Sequence, residues 1–292
     1  MRNIFSKLIM LFVLCMSGFV LFSGCAGKPE VRGPRGTVDA LPEEQSVYGK
    51  IQIKENEDIL SGLFSSMQIS ADLLELALDR TDSLSFSLGR QNESFTVIVS
   101  GDFPKSILQG EIRKLNMWKK QKNLGGYWLN EKEEIGLAFL DADTIAVSTG
   151  SIEEVITRYQ EFSQRALPKE LELEFEISDA VFYMPQPGTS LSSALGSSRD
   201  LPIELMWITL FSLREEGMYD VSAVFRMSGE DDAVSFSKIA KLLILFLFNQ
   251  EEIGNAGQLR SSLKVTQKGT VVRIQGIPLS EGDISDFLES RL

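Results

Sequence analysis

Apolar and polar side chains alternate with a period of two in several short stretches of the chain. Val47, Gly49, Ile51 and Ile53 stand against Tyr48, Lys50, Gln52 and Lys54, the pattern of a half-buried strand. Leu84–Leu88 and Phe95–Val99 flank a polar loop and predict a hairpin, and Tyr127–Leu129, Ile135–Leu140 and Thr144–Ser148 predict three more strands after Gly125-Gly126. Between them the period lengthens. Ile59, Leu60, Leu63, Phe64 and Met67 recur at helical spacing, and Ser70 caps a second short helix with Leu73, Leu74, Ala77 and Leu78 on one face. Pro104 opens a helix that carries Leu108, Ile112 and Leu115, with Trp118 near its end. Ser151, with Glu154 three residues on, forms a capping box ahead of Ile152, Val155, Ile156 and Tyr159.

Leu167-Pro168 marks a break. After it Leu171, Leu173, Phe175 and Ile177 alternate with Glu170, Glu172, Glu174 and Glu176, which predicts an edge strand with one wet, charged face. Ala180–Met184 reads as a strand, Leu205–Leu213 and Tyr219–Met227 as a hairpin, Asp232–Asn249 as a long helix, and 263–266 with 271–275 as a last hairpin before a helix starting near Ser280. The halves repeat one order: strand, helical material, hairpin, long helix, hairpin, helix. Asp143 through Ile156 even parallels Gly269 through Phe287. The expected architecture is therefore α+β, a tandem duplication of a ββαββα-type unit with mostly antiparallel sheets and helices packed on one face.

The N-terminus is of another kind. Arg2 and Lys7 precede an apolar run from Leu8 to Phe22, which closes on Leu21-Phe22-Ser23-Gly24-Cys25 with no basic stop-transfer cluster behind it. This segment resembles the signal peptide and lipobox of bacterial lipoproteins, in the relaxed form found in spirochaetes, with Phe22 where Leu is commonest. The resemblance implies cleavage after Gly24 and a covalent diacylglycerol and N-acyl chain on Cys25, with no other cofactor. Two or more chains anchor stably where one does not. Ala26 in the next position is compatible with sorting to the outer membrane, so the expected location is the bacterial envelope, lipid-anchored. The expected division is 1–24 signal peptide, 25–45 acylated cysteine and flexible tether, 46–166 first unit and 167–292 second unit. The tether assignment rests on Pro29, Gly33, Pro34, Gly36 and Pro42 among few apolar residues.

Charge and composition then exclude whole classes of function. Net charge is −12, and removing residues 1–24 takes away Arg2 and Lys7 but no acid, so the remainder is more acidic still. Such a surface repels phosphate backbones, which argues against nucleic acid as a partner. Histidine is absent and the two cysteines are Cys15 and Cys25. Without imidazole or a free thiol there is no Ser-His-Asp or Cys-His catalysis, no His- or Cys-ligated metal and no disulfide in the mature chain. Carboxylate-based hydrolysis and calcium binding survive that test, and Asp141-Ala-Asp143 is the acidic pair considered for calcium. Its position at a hairpin turn is the better account. Gly150 and Gly276, each placed between a strand and a helix, belong to no phosphate-binding motif. Tyr127, Trp128 and Trp207 suit a sheet core better than a sugar platform.

Two apolar helices remain as candidate contact surfaces. Phe236, Ile239, Leu243, Phe246 and Leu247 belong to a segment in which seven consecutive residues from Leu242 are apolar. A helix greasy on all sides is enclosed, or else meets lipid or a hydrophobic ligand. Leu60, Leu63, Phe64 and Met67 form a second stripe. In this the chain is loosely similar to treponemal outer-membrane lipoproteins with membrane-inserting amphipathic helices. The favoured function is a non-enzymatic envelope lipoprotein acting by membrane or protein contact, with membrane lipid and an envelope protein as partners. The alternative is a periplasmic carrier or chaperone with a cavity for lipid between helices and sheet. In cells fed labelled palmitate, the chain should incorporate label and Cys25→Ser should abolish it.

Overall fold

The computed structural model describes residues 36–53, 79–89, 94–163, 165, 167–188, 201–213, 217–250, 262–280 and 282–283. The chain divides into two compact units at Glu176/Ile177, beyond the Leu167-Pro168 break.

In the first unit a 3-10 turn, Gly36–Ala40, precedes β1 (Val47–Gln52), β2 (Thr81–Leu88) and β3 (Phe95–Gly101). Helix α1 (Lys105–Lys114) leads to β4 (Lys119–Gln121), β5 (Tyr127–Asn130), β6 (Ile135–Phe139) and β7 (Thr144–Ser148), followed by α2 (Ile152–Gln160) and α3 (Lys169–Ile177). The strand order is β1-β2-β3-β7-β6-β5-β4, antiparallel at every pairing. β4 was not foreseen. Lys119-Lys120-Gln121 carries no apolar alternation, and what makes it a strand is its pairing with β5, Lys119 opposite Leu129 and Gln121 opposite Tyr127.

One face of this sheet is a hydrophobic core. Phe95, Val99, Trp128, Ile135, Leu137, Ile145 and Val147 pack there against Leu108 and Ile112 of α1, with Phe103 and Trp118. The opposite face bears many short side chains, and α2 lies on that side. A Cβ on Gly136 would stand 2.6 Å from Cβ of Ile152, so only glycine admits the helix at this distance. Helices on one face only, the expected arrangement, thus fails for this unit: α1 and α2 occupy opposite faces. The physical reason is the small-residue set Gly136, Ala138, Ala146 and Ser148, which forms a bed for a second helix.

Segment 36–45 also departs from expectation, because it is built into the first unit and is not tether. Thr37, Val38, Asp39, Ala40 and Leu41 are all buried. Glycine and proline content suggested a solvated coil, whereas here it serves a tight turn and a close approach to the sheet.

Helix α3 replaces the predicted edge strand. Alternate residues of a strand share a face, but on a helix residues four apart do. Leu171 and Phe175 are accordingly buried, while Leu173 and Ile177 on the other side are each 53% exposed. Glutamate favours helix over strand, the amide of Glu172 donates to the Pro168 carbonyl (3.0 Å), and Glu170 and Glu172 complement the positive end of the helix.

The second unit has β8 (Ala180–Met184), β9 (Ile203–Ser212), β10 (Met218–Met227), the long α4 (Glu230–Gln250), β11 (Lys264–Lys268) and β12 (Val271–Ser280). Its order is β8-β9-β10-β12-β11, again antiparallel. Both units run a three-strand meander into a helix, and both return so that the last strand pairs with the third. Among the described residues the first has four strands after its helix where the second has two, so the two do not share one ββαββα order. Gly276 sits inside β12, not between strand and helix. It has φ +75° at a register shift opposite Val221/Ala223, and a side chain there would strike the Ser262 carbonyl 2.2 Å away.

Helix and strand assign different costs to the same residues of α3. Leu171→Ala should lower the unfolding free energy by about 2–5 kcal/mol, and Leu173→Ala should change it by less than about 0.5 kcal/mol, measured by urea titration. A strand with its leucines on one buried face would lose stability at both.

Candidate functional site

Two surfaces are organised beyond the needs of a simple core. The first is the outer side of α4. Its inner side packs on the second sheet through Ala233, Phe236, Ala240 and Ile244, against Met206, Ile208, Phe225, Val272 and Ile274. The rings of Phe236 and Phe225 lie 4.9 Å apart, tilted by 56°. These positions follow the spacing of one helix face. The outer side begins polar, with Asp231, Asp232, Ser235 and Lys238 exposed, and then adds apolar side chains: Ile239 is 56% and Leu242 70% exposed, with Lys241 exposed between them.

Of the residues proposed from sequence for membrane or ligand contact, Phe236 therefore packs on the sheet and Ile239 faces outward. Leu243, Phe246 and Leu247 lie within the span of α4, with side chains outside the described set, as are Leu60, Leu63, Phe64, Met67 and Cys25 altogether. Among the described residues no helix is long and apolar enough to cross a membrane.

The second surface is the polar face of the first sheet and the strap, residues 36–45, that crosses it. Hydroxyls there pair with one another: Thr37 with Ser85 at 2.6 Å, and Thr96 with Ser148 at 2.8 Å. Backbone carbonyls of the strap are taken away from water, and two arginines supply the donors they would otherwise lack. Arg158 gives Nε and Nη2 to the Asp39 carbonyl (3.1 and 3.0 Å) and Nη1 to Glu43 (2.5 Å). Arg165 gives Nη2 to the carbonyls of Leu41 and Pro42 (2.7 and 3.1 Å) and Nη1 to the Tyr48 hydroxyl (2.8 Å), with its guanidinium 4.0 Å from the Tyr48 ring centroid. The Tyr48 hydroxyl in turn donates to Pro42 O (3.1 Å) and accepts from Gln45 N (3.0 Å). Burial raises the Tyr48 pKa despite the pull of Arg165, and burial lowers that of Arg165.

Ser151 caps α2 by accepting from the Glu154 amide at 3.1 Å, as the capping box predicts. The Glu154 carboxylate accepts a 2.9 Å hydrogen bond from the Glu43 amide of the strap. Lys50 was the unforeseen buried cation. Its ammonium donates to the Phe175 carbonyl (3.1 Å), in the last turn of α3 where helix carbonyls present partial negative charge. In sequence it looked like the wet side of an alternating strand.

The remaining candidates have structural duties. Asp141 accepts from the Asp143 amide (2.8 Å) and from the Tyr159 hydroxyl. Asp143 has its pKa raised by burial and by the neighbouring carboxylates of Asp141, Asp102 and Asp82, so this corner holds mutually repelling acids. Tyr127, Trp128 and Trp207 are buried. The Gly150 amide donates to Ser148 Oγ at 3.0 Å.

Burial lowers the Lys50 pKa from 10.5 against a smaller opposing effect of Glu176. The folded chain therefore releases this proton at lower pH than the unfolded chain does. Stability contributed by the site should rise as pH climbs from the folded pKa towards 10.5, since the unfolded state binds more protons there. Relative to Lys50→Met, the wild-type unfolding free energy should gain as pH rises towards 10.5; a difference flat in pH would contradict this.

A family model described as outer membrane-associated lipoprotein TP0453 matches residues 36–271. Crystal form III of TP0453 superposes with a TM-score of 0.62 at 16% identity, covering 87% of this chain and 98% of that one. Crystal form I gives 0.61 at 17% identity, covering 87% and 96%. At such identities the likeness is one of fold. No curated protein sequence matches the chain.

Proposed function

Because the chain belongs to the family of outer membrane-associated lipoprotein TP0453, we propose that acyl chains on Cys25 fix it to the outer membrane and that it works there by contact, without enzymatic chemistry. Membership itself makes it a lipid-anchored protein of the bacterial envelope, associated with the outer membrane. The contact element in this proposal is the outer side of α4. The observation that carries it is the exposure of Ile239 and Leu242 on a helix whose opposite face is already satisfied by the sheet.

Magnitudes decide how such a surface acts. Burying a leucine or isoleucine side chain is worth about 1.5–3 kcal/mol, so two of them hold a free protein to a bilayer only weakly. An anchored protein needs no more, because the tether sets an effective concentration in the millimolar range. The shared strand order of the two units fits a duplication followed by divergence, with the contact helix elaborated in the second copy.

The test uses residues 26–292, which contain every described element, without acyl chains. At high lipid concentration a minor fraction should float with neutral phosphatidylcholine vesicles, as weak binding requires, and the pair Ile239→Asp with Leu242→Asp should cut that fraction at least about tenfold with thermal unfolding unchanged. Equal flotation of both proteins, or binding of monomeric fatty acid without any vesicle association, would overturn the proposal; the latter result belongs to a carrier.

A further inference from the structure

Charge is spread unevenly over the first unit. In a chain of net charge −12, the ten residues 113–122 hold Arg113, Lys114, Lys119, Lys120 and Lys122 and not one carboxylate. They run from the last turn of α1 through β4 to the turn beyond it, and all five are exposed. Two large apolar side chains stand out, Met117 within the stretch at 58% and Leu124 just beyond it at 38% exposure. Phe162, 65% exposed, follows the end of α2. The two stretches adjoin, since Gln160 Nε2 is 3.8 Å from where a Cβ on Gly125 would lie.

Lysines on the last strand of a sheet ordinarily discourage unwanted strand pairing. β11, which ends the second sheet, illustrates that use: Lys264, Thr266 and Lys268 are exposed while Val265 is partly buried against the core. β4 differs in its surroundings. Arg113 and Lys114 are not on the strand, and protection from pairing gives no reason to expose Met117, Leu124 and Phe162 beside it. The acid nearest in sequence is Glu111 on α1, followed by Glu131, Glu133 and Glu134 on the β5–β6 turn, while Glu161 stands next to Phe162. Of these, Glu131 pairs with Lys119 at 2.5 Å, both side chains more than half exposed, a geometry that neutralises little in water. Lys120 lays its stem along the sheet, its ammonium 5.9 Å from the Trp128 ring centroid, and keeps its charge outward.

Cations surrounding a few protruding apolar tips match a bilayer surface that carries negative headgroups, with charge for the phosphates and short apolar reach for the acyl boundary. We propose that the edge from Arg113 to Leu124, with Phe162, docks the first unit on anionic phospholipid. The rest of this acidic chain is repelled by the same surface, so the patch also dictates which side faces the membrane. This contact is separate from α4: it lies in the other unit, needs anionic lipid and is screened by salt.

Vesicle sedimentation with residues 26–292 tests it, using phosphatidylcholine alone and phosphatidylcholine mixed with phosphatidylglycerol, at low and high salt. The wild type should prefer the anionic vesicles at low salt and lose that preference at high salt. Each cation removed from the contact should weaken binding about fivefold, so Lys120→Glu with Lys122→Glu should weaken it at least about 25-fold. The same charge change on β11, Lys264→Glu with Lys268→Glu, should stay within about twofold of wild type. Met117→Asn with Leu124→Asn should weaken binding while leaving its salt dependence unchanged. The α4 pair, Ile239→Asp with Leu242→Asp, should keep the anionic preference, which separates failure of this proposal from failure of the preceding one. Equal losses in the two lysine pairs, or a wild type indifferent to vesicle charge, would overturn the docking surface.

Discussion

How closely anything can lie on a sheet depends on the side chains that face it, and on one side of the first sheet a run of those side chains is short. Ser85, Ser87, Thr96, Ser148, Gly136, Ala138 and Ala146 leave room for backbone where larger residues would hold it off. α2 and the strap take that room. Closeness then creates a debt of hydrogen bonds, because carbonyls at Asp39, Leu41 and Pro42 are removed from water. An unsatisfied buried carbonyl costs about 1–3 kcal/mol, which explains why two arginines and a tyrosine converge on a stretch of so few residues. The polar clamp is thus a consequence of the small-residue face, and neither makes sense without the other.

The second unit solves its packing differently. Its sheet offers Met206, Ile208, Phe225, Val272 and Ile274 to a single long helix, and α4 answers with Phe236, Ala240 and Ile244. The helix has 21 residues, and among its described side chains the outer side changes character part way along. Charge near the start suits the positive helix end, with Glu230, Asp231 and Asp232 in the first turn. Apolar exposure begins a little later, where no such electrostatic reason applies.

Most of the elements were legible because each is reported by a local signal. The hairpins, the cap at Ser151 and the start of α1 at Pro104 depend on neighbours in sequence. What escaped depends on neighbours in space. β4 is a strand only because β5 lies beside it. Lys50 looks solvated until the end of α3 is set over it. Alternation over residues 170–177 fits a strand and also fits two opposite stripes of a helix, and the glutamates between the apolar residues decide for the helix. Gly276 announces a break, but whether it ends a strand or bulges it is settled by the approach of Ser262. Of the contact residues chosen from sequence, periodicity could find the helix that carries them yet could not say which side the sheet would claim: Phe236 is inside, Ile239 outside. The basic edge escaped because whole-chain charge conceals a local excess of the opposite sign.

Binding the strap into the first unit also shortens the leash. In the proposed anchoring at Cys25, with Gly36 already held in its turn, ten residues separate anchor from body, and at about 3.5 Å each they span no more than about 35 Å. A free coil to residue 45 would have allowed roughly twice that headroom. Thr37 and Ser85 thus act as a mooring point: by deciding where the slack ends, a hydroxyl pair inside the protein limits how far the whole body can stray from the bilayer.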